Sequence, residues 1–207
     1  MKKITKYIPT IILTLLCSCS DYLDIVPDNV TTLDIVFNNR NTAERYLANC
    51  YHFVPDHGSV KRIPGMGAGH ECWFYTTNDS HFDNEVSFYI ARGLQNIDAP
   101  YANYWDGEGG SNLPMFRAIR ECNIFLDYVR DQHKVNDLTD SERKRWIAEV
   151  NVLKAYYHFF LFEHYGPIPI VDKALPVSTD PEGVKVTRMP VDQIVDYMVK
   201  LIDDSYK

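Results

Sequence analysis

Three observations predict a mainly α fold: four stretches of apolar residues recur at helical spacing, cap and stop residues stand at their ends, and no strict apolar-polar alternation competes. Asn41 with Glu44 forms the expected cap of a first helix, whose apolar side carries Ala43, Tyr46, Leu47, Cys50 and Val54. Pro114, at a first-turn position, opens a second, with Met115, Ala118, Ile119, Cys122, Leu126 and Val129 on one side. Thr139 and Glu142 form a capping box for the longest helix, lined by Val150, Leu153, Tyr157, Phe160, Leu161 and His164 and stopped by Gly166-Pro167. Its length of about 25 residues spans roughly 38 Å. Pro190 opens a fourth with Val191, Ile194, Val195, Met198 and Ile202 as its buried stripe. The apolar runs 168–171 and 184–186 are broken by Pro or Lys, so they read as extended connectors or a small hairpin. Amphipathic helices bury little alone, so the expected architecture is tetratricopeptide-like helix pairs with a long aromatic-rich loop insertion between the first two helices. The last residues, Asp203 to Lys207, lack a Gly stop and set two acids against the helix dipole, so the polypeptide is expected to continue and the fold to be incomplete.

The N-terminus reads as an export signal. Lys2, Lys3 and Lys6 form a basic front, and residues 8–16 are apolar apart from Pro9, Thr10 and Thr14. Nine residues cover only about 13 Å of a roughly 30 Å hydrocarbon core, so cleavage fits better than spanning. Leu16, Ser18 and Cys19 stand at the −3, −1 and +1 positions of a pattern that resembles the bacterial lipobox, in which the thiol of the new N-terminal cysteine is acylated. Residues 1–18 are therefore expected to be a lipoprotein signal peptide, Cys19 the lipidation site, and residues 19–207 the mature chain. Two or more acyl chains on one residue give stable membrane anchoring.

Loss of three lysines and no acids with that segment takes the formal charge from −7 to −10. An acidic surface disfavours nucleic acid and anionic lipid as ligands. The triplet Arg143-Lys144-Arg145 is the longest basic run and reads as one solvated helix face. With 45% hydrophobic and 13% aromatic residues the chain can bury a core. Cys50, Cys72 and Cys122 form an odd set in an oxidising compartment, so at most one bridge can form among them. Cys50 and Cys122 fall on apolar helical faces, which favours buried free thiols.

Several motifs together carry a family resemblance. Cys19 followed by Ser20-Asp21-Tyr22-Leu23-Asp24, Pro27 and Thr31 resembles the mature start of SusD/RagB-type outer-membrane lipoproteins. Trp105 and the run from Ile119 to Leu126 resemble that family's tryptophan and its I-R-x-C-N-x-F-L helix. Glu149 through Leu153-Lys154-Ala155-Tyr156-Tyr157 to Tyr165-Gly166-Pro167-Ile168-Pro169 is similar to its long-helix segment, and Arg188 with residues 191–204 to the next helix. The resemblance implies a cell-surface lipoprotein, anchored in the outer membrane by lipid, that captures glycans or other nutrients and delivers them to a SusC-type TonB-dependent transporter. It implies no cofactor and no enzymatic activity. Ser20-Asp21 resembles a short acidic surface-export signal, and a plain polar tether accounts for it equally well. Lys154 replaces the commoner arginine and is expected on a solvent face. Family chains run far beyond residue 207, so residues 19–207 correspond to an N-terminal portion.

Residues 55–112 mix Trp73, Phe74, Tyr75, Phe82, Phe88, Tyr89, Tyr101, Tyr104 and Trp105 with Asn78, Asp79, Asp83 and Asn84. Such a mixture suits sugars, because pyranose C–H faces stack on rings while short polar side chains take the hydroxyls. Most of these rings are expected to pack under the loop, Trp105 among them, and Trp73, Tyr75, Asn78 and Asp79 are the candidate ligand contacts. Metal binding is disfavoured: His52, His57, His70 and His81 include no His-x-x-x-His pair on one helical face. Gly65-Met66-Gly67-Ala68-Gly69 lacks the dinucleotide-fingerprint spacing and reads as a flexible loop. No Gly-x-Ser-x-Gly elbow is present, so no catalytic residue is assigned. Two other readings remain open from the residues: a surface glycoside hydrolase using scattered carboxylates, and a helical docking module without ligand binding of its own.

Overall fold

The computed structural model describes residues 32–59, 64–69, 86–98, 100–107, 113–175 and 185–206. Residues 1–35 and 36–207 are two compact units. In the first, Thr32 Oγ1 accepts the Ile35 amide at 3.4 Å where α1 (Leu33–Val36) begins. The second holds α2 (Arg40–Tyr51), α3 (Pro64–Gly67), α4 (Val86–Ala91), α5 (Met115–Arg130), α6 (Asp140–Tyr165) and α7 (Val191–Tyr206). The described residues contain no strand, in agreement with the expected mainly α class. Helix α6 is the centre, pairing with α5 on one side and α7 on the other, while α2 lies across both α5 and α6.

The caps show why these segments are helical. Asn39, in extended conformation, accepts the Thr42 amide at 3.1 Å, so α2 starts two residues before the expected Asn41 cap. Asp137 accepts the free Arg40 amide at 2.7 Å, satisfying another donor of that first turn. Val54 falls beyond the end of α2 and is exposed. At α6 the expected capping box is present in both directions between Thr139 and Glu142, and the helix ends at Gly166 with φ 67°. The stop needs glycine because a side chain at that φ crowds the backbone. Two parts of the insertion read as loop are helical: residues 64–67 form the turn of α3, and α4 buries Val86, Ser87 and Phe88.

The six apolar positions expected on α5 are all buried, as are Val150, Leu153, Tyr157, Phe160 and Leu161 on α6. Phe37 stacks on Tyr128 with centroids 4.5 Å apart and meets Phe125 edge-on, closing the core between α2 and α5. Trp146 packs on the same Phe125 at 6.3 Å between rings and lies under the Arg40 guanidinium, 5.6 Å from the ring centroid. Connectors 168–171 and 185–190 form no strand and are joined by the Met189 amide donating to Ile168 O at 2.9 Å.

Three expectations about exposure are overturned. Arg143 is buried: its guanidinium donates to the carbonyls of Val129, Asp131, Lys134 and Val135, so it ties the end of α5 to the α5–α6 turn, while Lys144 and Arg145 remain solvated. Lys154 is 1% exposed rather than solvent-facing, because α6 is covered on both sides. On α7 only Ile194 and Met198 of the expected stripe are buried; Val191, Val195 and Ile202 stay exposed, since the stripe is wider than the edge that meets α6. Val195, Val199 and Ile202 face Val152, Tyr156 and Phe159 of α6 across an apolar groove of about 390 Å³.

Candidate functional site

The expected ligand contacts Trp73, Tyr75, Asn78 and Asp79, the lipidation site Cys19, and Cys72, His70 and His81 lie outside the described residues. What the structure places is the frame of the insertion that carries them. Tyr104 is fully buried, its ring edge-on to Phe160 at 4.9 Å and to His164 at 4.7 Å. The Tyr104 amide donates to the Tyr165 hydroxyl at 2.8 Å and its carbonyl accepts the Met115 amide at 2.9 Å, so the loop end is fastened to both α6 and α5. Burial pushes the Tyr104 phenol above its ordinary range, so it stays neutral. Trp105 is structural, as expected: Phe116 and Tyr165 meet its ring edge-on at 4.6 and 5.4 Å, and Arg188 lies 5.1 Å over it. Arg188 is held there by donating to Pro167 O at 2.7 Å.

Further out, Tyr89 and Tyr101 stack nearly parallel at 4.4 Å, each half-buried. Asn103 turns the chain, accepting the Trp105 amide at 3.1 Å and donating to Asp106. Gly107, with φ 87°, then passes so close to Pro114 that a Cβ would lie 2.8 Å from its Cδ. Below Trp105 a groove of about 320 Å³ runs over Phe116, Pro169, Val171 and Leu175 to Lys185.

A second polar region lies on the other side of α6, and the sequence reading missed it. Lys154 Nζ donates to Asp172 Oδ1 at 2.8 Å and to Asp172 O at 3.0 Å, and Tyr197 Oη donates to the same Oδ1 at 2.8 Å. Burial pulls the Lys154 ammonium down and pushes Asp172 up, but the bonds from Lys154 and Tyr197 outweigh it and hold Asp172 below the usual carboxylate range. His158, behind Tyr197 at 5.1 Å between rings, donates its Nδ1–H to Lys154 O at 2.7 Å; burial lowers its pKa to about 4, so it is neutral at pH 7. Arg130, held by Asn151 at 3.2 Å, opens with Asp172, Tyr197, Lys200 and Asp204 onto a cleft of about 420 Å³. The available signal was Lys154 itself, a charged residue flanked by Val152, Leu153, Ala155 and Tyr156 and sharing its helix face with Asn151 and His158. Among the described residues no three His, Cys, Asp or Glu side chains converge as a metal site, and no helix is long and apolar enough to cross a membrane.

Comparison with known proteins gives this frame its context. Residues 21–207 match a SusD-like family described as starch-binding and associating with the outer membrane. Among solved structures, the chain is similar to a SusD-like protein from Bacteroides fragilis NCTC 9343, with 15% identity, a TM-score of 0.60, and coverage of 86% of this chain and 31% of that one. It is also similar to a laminarin binding SusD-like protein, with 16% identity, a TM-score of 0.59, and coverage of 82% of this chain and 34% of that one. This chain therefore spans about a third of the length of either structure. No curated protein matches it. With a family match that runs over nearly the whole sequence and helix pairs packed as in those two structures, the chain belongs to the SusD-like family.

Proposed function

We propose that this chain is the N-terminal portion of a cell-surface glycan-binding lipoprotein, in which residues 1–18 are removed as a signal peptide, Cys19 carries the lipid anchor, and captured glycan passes to a SusC-type TonB-dependent transporter. The observation that carries the reading is the match of residues 21–207 to a family described as starch-binding and associating with the outer membrane. The laminarin-binding neighbour supports a glycan as ligand. The frame of Tyr104, Trp105 and Gly107 supports it physically, since it anchors the base of the insertion bearing Trp73, Tyr75, Asn78 and Asp79. Capture without hydrolysis is the proposed activity.

Affinity gels containing starch or laminarin test the ligand assignment. The intact protein is expected to be retarded and the Trp73→Ala/Tyr75→Ala double variant to run faster; equal migration of the two removes those residues from the site. Incubation of labelled polysaccharide that releases no products over time separates capture from hydrolysis. Palmitate labelling lost in Cys19→Ser tests the anchor, and an unlabelled parent protein would refute it.

A further inference from the structure

The cleft of about 420 Å³ that α7 forms with the connector after α6 lies in the size range of small-molecule sites. One wall is braced from behind. The buried Lys154 ammonium donates to Asp172 O and Oδ1, and the Tyr197 hydroxyl donates to the same Oδ1, so the carboxylate is fixed while Oδ2 takes no bond among the described residues. Val171 O accepts from the Asn123 side-chain amide at 3.0 Å, which ties this connector to α5 as well. The Asp172 side chain nonetheless stays 63% exposed. Arg130, the last residue of α5, also lines the cleft, with one nitrogen donating to Asn151, and Lys200 joins it from α7. Neither pairs with an acid among the described residues. Because Lys154 offsets Asp172, these two cations face Asp204 alone, a net positive spot on a chain with 21 Lys and Arg against 28 Asp and Glu. Ile170 and Leu201 give the cleft apolar surface.

We propose that this cleft is a second carbohydrate site, for sugars that carry a carboxylate, such as hexuronic acids. The planar guanidinium of Arg130 matches a carboxylate, and Lys200 adds a point charge beside it. Asp172 Oδ2 accepts from a ring hydroxyl, and because Lys154 and Tyr197 already hold the carboxylate, little freedom is lost when it does so. The C–H face of the ring lies against Ile170 and Leu201. A neutral sugar gains no charge-assisted bond from either cation, and an anion without hydroxyls leaves Asp172 unused, so the arrangement selects for the two groups on one ring. Asp204 at the same cleft repels an anion and keeps the affinity modest. That a sugar enters rests on the proposed glycan-binding function; the preference for a carboxylate rests on the cleft alone.

Isothermal titration calorimetry of the whole chain with trigalacturonic acid tests this, beside maltotriose, which has rings and no carboxylate, and tricarballylate, which has carboxylates and no ring. Trigalacturonate is expected to bind roughly tenfold more tightly than either control, and less tightly as sodium chloride is raised. Arg130→Gln should weaken it roughly tenfold and Lys200→Gln roughly three- to fivefold, while Asp204→Asn tightens it. Lys200 is exposed and makes no bond among the described residues, so its variant keeps the fold even if Arg130→Gln disturbs the contact with Asn151. No binding of trigalacturonate, equal affinity for maltotriose, equal affinity for tricarballylate, or unchanged binding in Lys200→Gln would each overturn the site. The Trp73→Ala/Tyr75→Ala variant should bind trigalacturonate as the parent does, and Lys200→Gln should be retarded on starch or laminarin gels as the parent is. A chain retarded on those gels that ignores trigalacturonate refutes the cleft and leaves the glycan-binding function standing; one that binds trigalacturonate and runs freely through both gels upholds the cleft and refutes starch and laminarin as ligands.

Discussion

Replacing Arg143 should unfasten the turn between α5 and α6. Its Nη1 donates to Val129 O and at 3.2 Å to Asp131 O, and its Nη2 donates at 3.0 Å to both Lys134 O and Val135 O. The bonds to Val129 and Val135 are buried; Val135 O keeps the Leu138 amide at 3.1 Å, so Arg143→Ala deprives one buried acceptor, Val129 O, of its donor, at about 1–3 kcal/mol. The other two carbonyls are partly exposed and recruit water. Val135 adds to the effect, because this β-branched residue sits at φ 51°, a conformation that persists only while its surroundings impose it. Against this, the variant no longer buries a guanidinium. A net loss of about 2 kcal/mol follows, which for a chain of this size lowers the unfolding midpoint by roughly 4–8 °C. Arg143→Lys keeps the charge but has one nitrogen in place of the fork, and should lose about half as much. Thermal unfolding followed by far-UV circular dichroism reads the midpoints, and hydrogen exchange at residues 131–138 should speed up in Arg143→Ala. If Arg143→Ala melts within about 2 °C of the parent, the carbonyl clamp is not what holds this turn.

Stability should fall as the pH drops from about 6.5 toward 4, because unfolded His158 takes up a proton in that window while the buried ring, with its pKa lowered to about 4, does not. The full effect is about 3 kcal/mol at 1.36 kcal/mol per pH unit, and denaturant titrations at pH 7 and pH 4 should show it diminished in His158→Phe; an unchanged difference would locate the pH dependence elsewhere. The Lys154–Asp172 pair should respond asymmetrically. Asp172→Asn strands a buried ammonium and should cost about 2–4 kcal/mol, whereas Lys154→Met replaces it with an apolar chain of similar length and should cost less than about 1 kcal/mol; equal losses in urea unfolding would contradict this. Gly107→Ala, which puts a methyl group against Pro114 at a positive φ, should cost about 2–4 kcal/mol in the same assay.

Local chemistry made the helices legible. Thr139 with Glu142 and Gly166 with Pro167 mark the ends of α6 because the groups that satisfy a helix terminus lie within a few residues of it, and the apolar spacing of α5 names six of its nine buried residues, Asn123, Ile124 and Phe125 being buried as well where α2 and α6 both meet the helix. The family motifs were legible for the same reason, being short and contiguous. Tertiary packing settled the rest. Periodicity reports where a side chain points about its own helix axis and says nothing of what stands opposite. Lys154 therefore read as solvated until Asp172 and Tyr197 were found covering that side of α6, and Arg143 until the carbonyls of the preceding turn were found around its guanidinium. Val195 and Ile202 read as buried on the same logic, yet no described element covers them. Partners distant in sequence decide burial, and burial decides whether a charge, a thiol or a methyl group stabilises the fold, because the penalty for losing water depends on what replaces it.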